Sequence, residues 1–512
     1  MKNQVQLITY VDRLSDGGFR ELQALLTGGP FAGLFGAVHL LPFFRPLNGA
    51  DAGFDSIDRT EVDPRLGSWD DVRALSEHTD LMADLIVNHI SSESPQFADF
   101  RKRGDASCYA FMFLTYGRIF PDGAAETELL KIYRPRPGLP FTKMRLDDGT
   151  ERLLWTTFSQ KQVDIDVRSP HGKRYLDQSL NQFHKAGIRS IRLAAAGYAV
   201  KKRGTSCFMI PETLEFIAKL TRQARELGIE VLVETHSHYL EQIQIAKQVD
   251  WVYDYVLPAL VLHALYSGEP RRLKHWLKIR PCNAITVLDT QDGIGLIDVG
   301  PDRKSPDSPP GLLSLEEIND LVETIHERSN SASPDAIGTA ANNLDIDQVN
   351  CSYFEALGRR DDDYLIARAI QFFAPGVPQV YYVGLLAGTN YVDLLRQTGE
   401  TRDSNRHCYT RAELRQRLDS SVVRALFDLI RFRNAHPAFA GEFQVDNSDN
   451  SSLVLEWRKD RDWARLDVDL ACRRAVISYS GPAGDQAVLV SSSVIEVSRF
   501  SLLPNGIKVK SS

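Results

Sequence analysis

Short apolar runs recur along the chain, separated by stretches whose apolar residues repeat at helical spacing. Val5–Tyr10, Ala37–Phe43, Leu81–Asn88, Ser190–Ala194, Glu230–Glu234, Ala284–Asp289 and Val377–Val383 are rich in β-branched residues and nearly continuous in apolar ones. That pattern predicts strands buried on both faces of a parallel sheet. Between two of them, Thr213–Leu227 puts Leu214, Ile217, Leu220, Ala224 and Leu227 on one helical face, with Lys219, Arg222 and Glu226 opposite. Pro211 ahead of it and Gly228 behind it are start and stop signals for a helix. Trp69–His78 also reads as helical. Strand and helix alternate over roughly 400 residues, which predicts an α/β fold, most economically a (β/α)8 TIM barrel. A doubly wound sheet is the structural alternative, but no GxGxxG follows the first strand and there is no P-loop.

Two segments break the alternation. Residues 90–167 are rich in aromatics, proline and glycine, as in Arg134-Pro135-Arg136-Pro137-Gly138-Leu139-Pro140-Phe141, and residues 295–358 carry Ser305-Pro306-Asp307-Ser308-Pro309-Pro310-Gly311. Both read as insertions. After residue 440 the pattern turns to short alternating strands (Ser452–Trp457, Arg474–Tyr479, Ala487–Val490), the mark of a small antiparallel β domain. The expected organisation is a barrel built from 1–89, 168–294 and 359–439, inserted domains at 90–167 and 295–358, and a C-terminal β domain over 440–512.

Composition narrows the partners. The 512 residues include 60 Lys plus Arg and 67 Asp plus Glu, a formal charge of −7. That balance has no electrostatic footprint for nucleic acid or an anionic membrane, and it suits a neutral small molecule. No run of 18 apolar residues exists to span a membrane. The N-terminus becomes strand-like at once, without the apolar core of a secretion signal. Six scattered cysteines form no CxxC pair, so free and mostly buried thiols in a reducing cytoplasm are expected.

In a barrel the chemistry sits at the C-terminal ends of the strands. Those ends carry Asn88-His89, Arg192, Glu234, His236, Asp289 and Asp292, where a purely structural protein places turn residues. Paired carboxylates there suit glycosidic bond cleavage: one protonates the leaving oxygen, another attacks or stabilises the anomeric carbon. Each has a plainer alternative. Glu234 could be a salt-bridged strand end, Asp292 an Asx-turn residue, and His89 a loop cap. His236 and His238 would share a strand face, but no third ligand accompanies them and no metal or cofactor is expected.

Four ordered segments carry a resemblance. Asp84-Leu85-Ile86-Val87-Asn88-His89, Ile191-Arg192-Leu193-Ala194-Ala195-Ala196-Gly197-Tyr198, Val233-Glu234-Thr235-His236-Ser237 and Val287-Leu288-Asp289-Thr290-Gln291-Asp292 resemble the conserved regions of the α-amylase superfamily, glycoside hydrolase family 13. Flanking text is similar to its sucrose phosphorylase subfamily: Asp51-Ala52-Gly53-Phe54-Asp55, Tyr133 through Phe141, Gln162-Val163-Asp164-Ile165-Asp166, Asn343-Leu344-Asp345, Pro378 through Gly384 and Arg402 through His407. The resemblance covers residues 1–440. It implies a retaining, two-step transfer of glucose from sucrose to phosphate, giving glucose 1-phosphate and fructose. It implies Glu234 as acid/base and Asp292 as transition-state stabiliser. Asp51, Phe54, His89, Gln162, Arg192, Tyr198, His236, Gln291 and Arg402 would line the glucose pocket. Tyr133, Arg136, Asp345, Asp347 and Gln348 would serve the acceptor and phosphate. Some barrels with such an insertion are dimers, so a homodimer is compatible.

The sequence departs from the family at the nucleophile. Members read Arg-Leu-Asp-Ala where this chain has Arg192-Leu193-Ala194-Ala195. A methyl group cannot attack carbon, so no covalent glucosyl intermediate is expected and the chain reads as an inactive variant. Either it is deliberately inactivated or it is a natural, non-catalytic sugar-binding relative. Gln291 stands where members usually carry His, and Asp347 where they usually carry Tyr. An extra carboxylate at 347, with Pro135 retained, disfavours a phosphorylated acceptor such as fructose 6-phosphate. It is compatible with a polyol, which makes glucosylglycerol phosphorylase the near alternative; sucrose 6-phosphate phosphorylase is a further alternative from the same subfamily.

Overall fold

The computed structural model describes residues 1–45, 52–134, 138–302, 309–329, 348–399, 401–446, 451–482 and 484–492. Eight parallel strands close into a barrel: β1 (Gln6–Thr9), β2 (Ala37–Leu40), β3 (Asp80–Ile86), β4 (Ser190–Ala194), β5 (Glu230–Val233), β6 (Trp251–Asp254), β7 (Ala284–Thr286) and β8 (Val377–Tyr381). The barrel closes where Gln6 of β1 lies opposite Gln379 of β8. Seven strands fall within the predicted apolar runs. The pattern misses β6, because its four residues run almost directly into the predominantly apolar helix Val256–Ser267 and the two read as one stretch. Several strands also stop short of their runs. β2 ends at Leu40 and β7 at Thr286, yet Leu41, Phe43, Val287 and Leu288 beyond them stay buried. Apolar composition therefore outlasts the hydrogen-bonded ladder and continues into the packed rim.

Two apolar compartments flank the strands. Met82, Leu232, Tyr253, Ile285 and Val377, one from each of five barrel strands, belong to a buried cluster of their own. Side chains two apart share a strand face, so Asp84, Glu234, Tyr255, Val287 and Gln379 follow these five on the same side. The other faces meet the helices in the main core. Helix Pro211–Glu226 behaves as its sequence predicts, with Pro211 in its first turn and Ile217, Leu220 and Ala224 buried. Trp69–Ser76 starts at Ser68, whose side chain and Asp71 cap each other's backbone N–H groups.

The first expected insertion leaves the rim through His89–Ser91, paired with Gln162–Asp164. It carries a hairpin of Phe141–Arg145 and Glu151–Trp155. In the second, Ile294–Gly295 pairs with Gln348–Val349, and helix Leu315–Arg328 packs Ile318, Leu321, Val322 and Ile325 inward. A five-stranded antiparallel sheet follows the barrel, from Glu442–Asp446 to Gly484–Leu489. Its Trp457 indole donates to the Phe373 carbonyl at 2.7 Å, which ties sheet to barrel.

The cysteines correct one expectation. All six are free, but only Cys207 and Cys351 are buried, while Cys108, Cys282, Cys408 and Cys472 are exposed. The exposed four lie outside the helices and strands, where apolar character does not force burial. Among the described residues, no helix is long and apolar enough to cross a membrane.

Candidate active site at the C-terminal rim

β4 delivers Ala194 to the rim, 2% exposed and opposite Ile86 of β3. The backbone then turns sharply. Ala195 takes a left-handed φ of 56°, rare for a residue with a Cβ and typical of functional turns. Gly197 follows, and a Cβ there would stand 2.6 Å from the Phe208 ring, so only glycine lets that ring close over the turn. Glu234 is the first residue past β5, and its N–H donates to the Leu193 carbonyl at 3.3 Å. Residue 194 and Glu234 thus leave adjacent strands side by side.

Arg192, two residues before Ala194 and fully buried, links two acids. Its Nε donates to Asp84, and its Nη1 lies 3.1 Å from Glu234 Oε1. The Tyr255 hydroxyl donates to the same oxygen at 3.5 Å. Across the pocket, the Thr290–Gly293 turn presents Asp292. Gln291 Nε2 donates to Asp292 Oδ2 at 2.8 Å, and Arg402 Nη1 lies 3.2 Å and Arg406 Nη2 3.7 Å from Oδ1.

These surroundings drive the two carboxyls apart. Burial pushes Glu234 above the usual glutamate range; Arg192 opposes the shift, and Asp292 and Asp84 add to it. Burial also works to raise Asp292, but Arg402 and Arg406 outweigh it and hold that group below the usual range. A high acid beside a low one is the arrangement that lets one carboxyl carry a proton while its neighbour stays ionised. His236 completes this part of the rim. Burial pulls its pKa down, yet Asp298, 2.9 Å from Nδ1, wins and raises it, and the ring stacks on Tyr255 at 3.9 Å.

The remaining candidates surround this core. His89 Nε2 donates to the Phe54 carbonyl at 3.1 Å, and Arg192 lies over the Phe54 ring at 5.5 Å. Buried Gln162 accepts from the Ser159 hydroxyl at 3.0 Å. Tyr198 meets Phe158 edge-on at 5.2 Å and Tyr133 face to face at 6.2 Å, with Phe208 against both at 4.7 and 4.6 Å. Gln348 pairs with Gly295, where a Cβ would lie 3.2 Å from the His236 ring. Asp51, Arg136, Asp345 and Asp347, with Pro135, lie outside the described residues.

One rim acid plays another part. Asp289 forms a fully buried ion pair with Arg368 at 2.8 Å, which removes it from the pocket chemistry. His238 also turns away: Nε2 donates to the Pro310 carbonyl at 3.2 Å and Nδ1 caps Leu240 N–H, so it shares no face with His236. Among the described residues, no group of three His, Cys, Asp or Glu could hold a metal ion.

Sequence reasoning assigned no part to Lys201, whose buried ammonium joins three segments. It reaches Asn88 Oδ1 at 2.6 Å, Asp164 Oδ2 at 2.7 Å and the Tyr198 carbonyl. Rim, insertion and the turn after Ala194 meet at this one charge. The doublet Lys201-Lys202 reads as a solvated surface pair, which hid it. Arg406 sat inside a quoted motif without an assignment, since nothing in the sequence says that it and Arg402 both face Asp292.

Comparison with known proteins agrees with this architecture. Residues 34–261 match the family Alpha amylase, catalytic domain. The chain is 59% identical to a sucrose phosphorylase of Agrobacterium vitis, over 94% of this chain and 98% of that one. It is 49% identical to a sucrose phosphorylase of Bifidobacterium adolescentis, over 95% and 97%. The crystal structure of sucrose 6F-phosphate phosphorylase from Thermoanaerobacter thermosaccharolyticum superposes with a TM-score of 0.87 at 37% identity, covering 96% of this chain and 98% of that one. The rim geometry and these matches together make the chain a member of the sucrose phosphorylase group of the α-amylase family.

Proposed function

We propose that this barrel is built for phosphorolysis of an α-glucoside, sucrose plus phosphate giving α-glucose 1-phosphate plus fructose, and that Ala194 leaves it able to bind the sugar without turning it over. The observation that carries the reading is the pair Glu234 and Asp292, shifted in opposite directions around a pocket whose nucleophile position holds a methyl group. Identities of 59% and 49% with sucrose phosphorylases, against 37% with the phosphate-ester enzyme, support sucrose as the donor.

In the complete reaction a carboxylate at 194 attacks the anomeric carbon as Glu234 protonates the departing fructose oxygen. Phosphate then attacks the glucosyl ester, Glu234 takes its proton, and the carboxylate leaves. Burial pushes Glu234 above the usual glutamate range, which favours the protonated form that the first step needs. Asp292, held ionised by Arg402 and Arg406, grips sugar hydroxyls and favours the cationic transition state. The aromatic group of Tyr133, Tyr198 and Phe208 covers the acceptor side. With alanine at 194 the first bond cannot form. A loss on the order of 10⁴ corresponds to about 5.5 kcal/mol of barrier. Six unpaired thiols, four of them exposed, support a reducing, cytoplasmic setting.

The test is Ala194→Asp, supplied with sucrose and phosphate and followed by phosphorus NMR. Appearance of α-glucose 1-phosphate supports the reading; a folded variant that binds sucrose yet releases none defeats it. Gln291, a second departure within the same pocket, favours one further reading: a sugar-binding protein with no catalytic role. Under that reading the parent chain binds sucrose in calorimetry and Ala194→Asp stays silent.

A further inference from the structure

The barrel interior holds a polar chain where packing alone calls for branched apolar layers. Gln6 accepts from Gln379 Nε2 at 3.1 Å, and the Tyr253 hydroxyl lies 2.8 Å from Gln379 Oε1 and 3.3 Å from His39 Nδ1. His39 Nε2 lies 3.2 Å from Asp84 Oδ1, the oxygen that also takes Arg192 Nε, and Arg192 Nη1 reaches Glu234. Six strands contribute to the chain from Gln6 to Arg192, and these six side chains are buried to within a few per cent. Polar groups this deep cost stability unless each is bonded, so their retention in a core points to a task.

We propose that His39, buried in the barrel interior, is a positioning residue that aims Arg192 at Glu234 by holding Asp84. Burial pulls the imidazole below its ordinary pKa, so the neutral ring donates one hydrogen bond, from Nε2 to Asp84, while the Tyr253 hydroxyl gives its single proton to Gln379 Oε1. Asp84 Oδ1 is then shared between His39 and Arg192. Remove the His39 donor, and Arg192 turns to pair with both Asp84 oxygens, the favoured fork geometry. Its Nη1 then leaves Glu234. The groups facing Glu234 are Arg192, Asp292, Asp84, His236, Tyr253 and Tyr255; of these, Arg192 is the fixed cation that His39 controls.

The inference rests on the reading of Glu234 as the acid, but its test needs no turnover. The titration of Glu234 is followed by carboxyl carbon-13 NMR in the parent chain, with the resonance assigned by its loss in Glu234→Gln. His39→Leu removes the donor and is expected to move the Glu234 midpoint upward by about 0.5 pH unit or more, as loss of a nearby cation does. His39→Gln, which keeps a donor within reach of Asp84, is expected to restore the parent midpoint. An unmoved midpoint in folded His39→Leu, or an equal shift in both variants, overturns the proposal. Should His39→Leu fail to fold, His39→Phe, a ring of similar size without the donor, decides: an upward shift upholds the proposal and an unchanged midpoint ends it. A silent Ala194→Asp protein would remove the phosphorylase reading and leave this measurement intact.

Discussion

The two sides of the pocket handle a buried carboxylate in opposite ways. On the β5 side Glu234 meets one arginine that Asp84 already holds, so burial dominates and pushes its pKa up. On the β7 side Asp292 meets Arg402 and Arg406 from the segment after β8, and two cations outweigh the same burial. The difference lies in how many cations face each acid, one arginine against two, more than in depth. One opposing cation leaves the pKa raised by burial, and two bring it below the usual range.

The largest test of this contrast restores the missing partner. Ala194→Asp is expected to raise phosphorolysis of sucrose by on the order of 10⁴-fold or more, measured as glucose 1-phosphate released. Within that restored protein, Glu234→Gln is expected to cost about 10²–10⁴-fold in kcat, because an amide cannot supply the proton. Replacing Lys201 by Met leaves buried Asp164 without its cation and is expected to destabilise the fold by about 3–5 kcal/mol in denaturant unfolding.

Stability against pH sharpens the contrast most finely, because the two acids predict opposite signs. Glu234 has a folded pKa above its unfolded value, so its contribution is present at low pH and is lost as pH rises through the folded pKa. Glu234→Gln is therefore expected to raise Tm at pH 7 and to change it little near pH 4. Asp292 has a depressed folded pKa, so its contribution is present above the unfolded value and is lost as pH falls through the folded one. Asp292→Asn is expected to lower Tm at pH 7, with the deficit closing in acid. Calorimetric scans at both pH values check each; shifts of one sign in both variants would show that the two sides are not different.

Much of this was legible before any coordinates. Apolar runs located seven barrel strands because strands buried on both faces leave a continuous signature. Acids and imidazoles just past those runs marked the rim. What stayed hidden depends on distant pairing. Asp289 and Glu234 look alike at a strand end, and only the Arg368 partner, 79 residues away, makes the first structural. His39 sits in an apolar run like any core residue, since nothing local says that Asp84 and Tyr253 close around it. β6 escaped because a four-residue strand feeding an apolar helix has no period of its own.

The closure of β1 on β8 has a consequence for how the protein comes into being. Gln6 cannot find Gln379, nor Asp292 its two arginines, until translation has passed residue 406. At ~5–20 residues per second, Asp292 waits roughly five to twenty-five seconds on the ribosome before Arg402 and Arg406 arrive. Through that interval the nascent chain has a half-walled groove and an open sheet edge, so sugar cannot serve as a template for folding, and chaperones are the natural company of the unfinished protein.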